Sequence, residues 1–80
     1  MDTRKEDILQ LLEHRDKARN LFERDMIDRT LYRIRSESPM VEDYRKKLIM
    51  AIRNDDRRAV ERFRHELLMI RADETHGHDY

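Results

Sequence analysis

Eighty residues make at most one domain with a thin core, and the absence of cysteine leaves that core without disulfides or a thiolate metal cage to brace it. Charged side chains form 45% of the chain and apolar ones 38%, with one glycine and one proline. That excludes a membrane span, which needs about 18 uninterrupted apolar residues, and a disordered polyelectrolyte, which would lack the regularly spaced Leu, Ile, Met, Phe and Tyr found here.

The opening Met1 to Asp7 holds no apolar signal core, so a cytoplasmic home and no membrane partner are expected. Formal net charge is zero but unevenly placed. Residues 1–43 carry nine basic and eleven acidic side chains, residues 44–72 nine and four, and residues 73–80 three acidic and no basic ones.

Taken in chain order, the first predicted helix runs from about residue 4 to 35, with Asp2 or Thr3 as its cap and no Gly or Pro to break it. Glu13 with Lys17 and Asp25 with Arg29 have the spacing that supports a helix. At 100° per residue Ile8, Leu11, Leu12, Ala18, Phe22 and Met26 share one face, whereas Leu9, Ile27, Leu31 and Ile34 fall to one side of it. The apolar face therefore shifts around Phe22–Met26. A single long helix is the expectation, and a break near residues 20–25 is the alternative.

Ser36-Glu37-Ser38-Pro39 is the clearest punctuation: Pro39 forces the preceding residue extended and suits a first helical turn, with Ser38 as the cap. The second predicted helix spans about 39–53, with Val41, Tyr44, Leu48, Ala51 and Ile52 inward, and Glu42–Lys46 and Asp43–Lys47 as ion pairs. At Asn54-Asp55-Asp56, Asn54 suits the left-handed end of a helix and an Asp caps the next. The third predicted helix spans about 56–72 with Ala59, Val60, Phe63, Leu67 and Ile70 inward. Residues 73–80, with His76 and His78 among carboxylates, read as a flexible acidic tail rather than a metal site.

An all-α domain over residues 1–72 follows. The short second and third helices form an antiparallel hairpin that covers roughly half of a first helix of ~45–50 Å. A second copy is expected to cover the rest as a helical dimer; breaking the first helix near 20–25 would instead give a compact bundle.

Two short resemblances exist. Asp7-Ile8-Leu9-Gln10-Leu11-Leu12-Glu13-His14-Arg15 resembles the first helix of the helical chorismate mutases. The downstream basic position of that helix would fall near Met26 and the glutamine-bearing last-helix segment is missing, so the activity is not carried over. Leu48 to Asp56, with Val60 and Phe63, is similar in spacing to the small IDEAL-type helical hairpin, departing at its acidic position, here Ile49.

No Gly-rich phosphate loop, zinc motif or nucleophile–base set is present, so no catalysis, cofactor or metal is expected. The apolar residues off the stripes are too many for one thin core, and exposed apolar area marks interfaces. The expected function is a small helical adaptor, inhibitor or regulator acting by protein contact, with Leu31, Tyr32, Ile34, Leu68 and Met69 as anchors. The alternative is a nucleic-acid-binding regulator using Arg57, Arg58, Arg62 and Arg64 on the last helix. A third possibility is an enzyme with a site at a dimer interface.

Overall fold

The computed structural model describes residues 4–70. Over them the chain is all-helical, with four helices rather than three: α1 (Lys5–Lys17), α2 (Leu21–Arg33), α3 (Pro39–Arg53) and α4 (Arg57–Met69). The expected caps Asp2 and Thr3 and the tail 73–80 lie outside the described residues.

The single long first helix is the main correction. It ends at Lys17, Ala18 turns extended, and a new helix begins after Asn20, so the break falls at the leading edge of the 20–25 range given as the alternative. No Gly or Pro is needed. The Asn20 side chain accepts from the Glu23 amide at 2.9 Å, and the Glu23 carboxylate accepts from the Arg19 amide at 2.9 Å. The two residues together satisfy amides that an emerging helix leaves without partners. The half-covered helix that argued for a dimer is therefore not formed.

Each helix packs on the next, and α4 closes back on α1. The Lys5 ammonium donates to the Ile70 carbonyl at one end of the α1–α4 pair. Arg64 Nη1 meets Asp16 Oδ2 at 2.6 Å toward the other end, so these helices run antiparallel. The α1–α2 turn and the α3–α4 turn thus share one end of the bundle, here called the tip.

The core is built from Ile8 and Leu12 of α1, Leu31 of α2, Val41, Leu48 and Ile52 of α3 and Leu67 of α4. The inward stripes read for the second and third predicted helices hold, since all ten of those residues are buried or half-buried. The stripe read through the first predicted helix holds in α1 and fails in α2. Phe22 and Met26 were placed inward, yet they are 73% and 49% exposed, while Leu31 is 1% exposed. The reason is geometric. Restarting the helix at Asn20 resets its rotation and points the Ile27–Leu31 face at α1. Phe22, nine residues before Leu31 and so ~180° from it, must then face water.

The two remaining joints follow the punctuation more closely. Ser38, fully buried, accepts from the Val41 amide, and Pro39 opens α3. At the α3–α4 turn the left-handed residue is Asp55 (φ 52°), not Asn54. Asp56 N–H bonds Ala51 O at 2.9 Å and Asp55 N–H bonds Ile52 O at 3.1 Å, the paired contacts of a Schellman ending. Asp56 then caps α4 by accepting from Ala59 N at 3.1 Å. No helix among the described residues is long and apolar enough to cross a membrane.

Candidate functional site

The anchors expected from sequence do not form one surface. Leu31 is a core residue, and that corrects its assignment as a surface anchor. Tyr32 is half-buried under the Arg53 guanidinium, 5.4 Å from its ring centre, a cation–π contact that covers one face of the phenol. Ile34 is half-buried and packs on the core. Leu68 and Met69 are 57% and 68% exposed, at the end of α4 away from the tip.

The four arginines proposed for nucleic acid are divided too. Arg62 is held by Glu66 at 3.1 Å, and Arg64 by Asp16 at 2.6 Å with Glu61 at 3.8 Å. Tyr44 Oη donates to the same Glu66, whose pKa lies below the usual range because Arg62 and then Tyr44 bond its ionised form. Only Arg57 and Arg58, at the start of α4, make no ion pair among the described residues.

Arg45, another member of the basic block, has a structural task. It is 5% exposed, and its Nη1 donates to the carbonyls of Leu31 (2.9 Å) and Tyr32 (3.2 Å), which end α2. Its Nε and Nη2 grip both carboxylate oxygens of Glu42, at 2.9 and 2.6 Å. Glu42 also accepts from the Ser36 amide at 3.1 Å. The expected Glu42–Lys46 pair is thereby replaced, because the buried fork offers two parallel charge-assisted bonds where an exposed lysine offers one.

The structure brings together a surface that sequence reading missed. At the tip, Leu21 is 79% exposed and Phe22 73%, the two most exposed large apolar side chains among the described residues. Beside Leu21 a groove of about 320 Å³ runs between the two turns, lined by Arg15, Arg24 and Arg57, by Asp16, Asp55, Asp56 and Glu61, and floored by Ala51, Ile52 and Val60. A shallower concavity with Leu21 on its wall also uses Arg19 and Arg24. One sequence signal pointed here: Asn20-x-x-Glu23 has the spacing of a helix start, and a start at Asn20 puts Leu21 and Phe22 on an outward first turn.

No protein-family model matches the chain, and no curated protein and no solved structure matches it either.

Proposed function

We propose that this protein is a small helical adaptor, inhibitor or regulator that works by binding another protein, not by catalysis, and that the tip is its principal contact surface. The observation that carries this reading is the exposure of Leu21 and Phe22 side by side, beyond what the fold needs. Met26 continues the outward face of Phe22 one turn along α2 and is 49% exposed. Adjacent large apolar side chains left in water are costly for a monomer and become favourable when a partner covers them. Leu68 and Met69 form a second, separate apolar spot at the far end. Self-association is one form such contact takes, and sedimentation measures it directly.

The test is an affinity pull-down with mass spectrometry, comparing the unaltered chain with a Leu21→Asp/Phe22→Asp variant. The variant keeps its helicity, since neither side chain packs in the core, and loses the specific protein that the unaltered chain retains. Recovery of the same proteins by both chains would overturn the assignment of the tip. Leu31→Asp serves as the contrast: its circular dichroism collapses, because a carboxylate has no partner in the position that Leu31 fills.

A further inference from the structure

We infer that the tip docks an acidic segment of its partner that carries a large apolar side chain beside its carboxylates. This rests on the protein-contact reading and adds the chemistry of the partner. The argument is charge complementarity after internal pairs are set aside. Four arginines cluster at the tip: Arg19 in the α1–α2 turn, Arg24 in the first turn of α2, and Arg57 and Arg58 at the start of α4. Among the described residues none of the four makes an ion pair, whereas Arg15 is paired with Asp28 at 2.8 Å.

The carboxylates lining the same groove are mostly occupied. Asp16 and Glu61 both serve Arg64, and Asp56 accepts from the Ala59 amide. Asp55 is the one groove carboxylate left without such a partner among the described residues. The groove therefore offers Arg24 and Arg57 to an incoming ligand, with Arg19 and Arg58 around it.

Guanidinium forks match carboxylates in planar, two-bond geometry, and the match strengthens as the groove dries. The apolar floor of Ala51, Ile52 and Val60, together with Leu21 on the wall of the adjoining concavity, supplies the drying surface. A nucleic-acid backbone fits less well. Its phosphates are evenly spaced and everywhere charged, and the charges of Asp55 and Asp56, which no cation pairs among the described residues, would face them. A protein segment can set its carboxylates against the arginines and its apolar side chain against Leu21, leaving the aspartates in water.

The experiment pans the full chain against a displayed library of random peptides of about 16 residues, roughly four helical turns. Binding of the selected peptides is then measured to the unaltered chain and to three variants. The enriched sequences combine Asp or Glu with a large apolar residue. They bind about ten-fold or more weakly to Arg57→Glu and to Arg24→Gln, the loss of a charge-assisted contact, and at unchanged affinity to Leu68→Asp. Circular dichroism confirms that each variant is folded; Arg57 is exposed, so its variant reports even if Arg24→Gln does not fold.

Enrichment of neutral or basic peptides, or equal affinity for the arginine variants, overturns the inference. So does a uridine oligonucleotide of about twenty nucleotides binding more tightly than any peptide, or a dimer that the Arg57→Glu change dissociates. Peptides that lose affinity only with Leu68→Asp leave the protein-contact reading standing and refute the choice of partner at the tip. A chain that enriches no peptide and captures no protein fails both.

Discussion

The chain ends one helix and starts another at Ala18–Asn20 and again at Ile34–Ser38, and it does so by opposite means. The first joint is exposed and local. Every group that holds it lies within a few residues: Asn20 on the Glu23 amide, Glu23 on the Arg19 amide. The second joint is partly buried and long-range. Ser38 is fully buried, Pro39 fixes the entry to α3, and Arg45 reaches back thirteen and fourteen residues to the carbonyls that end α2. An exposed joint can use water for whatever its caps leave unsatisfied. A buried one must satisfy its groups within the protein, so it needs a fork with several donors and a carboxylate to neutralise it.

That contrast sets the order of expected effects. Arg45→Ala removes the donor for two carbonyls and leaves Glu42 without its counter-charge. The expected loss is about 3 kcal/mol, read from urea denaturation. Replacing both partners with apolar residues, Arg45→Met with Glu42→Leu, restores part of that loss. If the double variant is no better than the single one, the carbonyl contacts matter more than the ion pair.

The pH dependence separates the joints next. Arg45, and then the Ser36 amide, hold the Glu42 carboxyl below its ordinary value against the opposing effect of burial. A carboxyl lowered in the folded state adds stability that is fully present above its unfolded pKa. That contribution disappears as pH falls through the lowered folded value, so acid weakens the α2–α3 joint. In Glu42→Gln the same acid titration shows a shallower fall in stability between about pH 5 and pH 2.

Asn20→Ala should cost about 1 kcal/mol, the usual loss for a helix cap. It should also fray α2 from its first turn, seen as faster amide exchange at Glu23 and Arg24 and little change near Leu31. A loss as large as that of Arg45→Ala would mean the exposed joint is not held locally. The smallest effect is a gain: Asp55→Gly relieves a left-handed residue that carries a Cβ and should add roughly 0.5–1 kcal/mol, visible in a thermal melt.

The helical class, the α2–α3 joint and the α3–α4 hairpin were readable because their signals are local. Pro39 after Ser38, the Asn54–Asp56 run, and the apolar spacing through Val41–Ile52 and Ala59–Ile70 each point to one conformation. Ion pairs one turn apart were readable on the same ground: Glu13–Lys17, Asp25–Arg29 and Asp43–Lys47 form at 3.1, 3.0 and 3.1 Å. The Ala18–Asn20 break was harder, because a cap of Asn20 with Glu23 also fits the surface of an unbroken helix. Preferring the unbroken helix over that alternative carries Phe22 and Met26 into the expected core and Leu31 onto the expected surface, since a helix restarted in a new direction changes which face is inward.

Sequence alone thus determined where the last two helices form and which of their faces are apolar, because propensity, capping and periodicity act over a few residues. Only the tertiary structure decided which arginine is buried, which are paired and which are left at the tip. Those outcomes depend on distances between residues far apart in the chain: Arg45 to Leu31, Arg64 to Asp16, Arg15 to Asp28. The same charge on the same kind of helix becomes a brace or a contact surface according to what packing brings within reach of it.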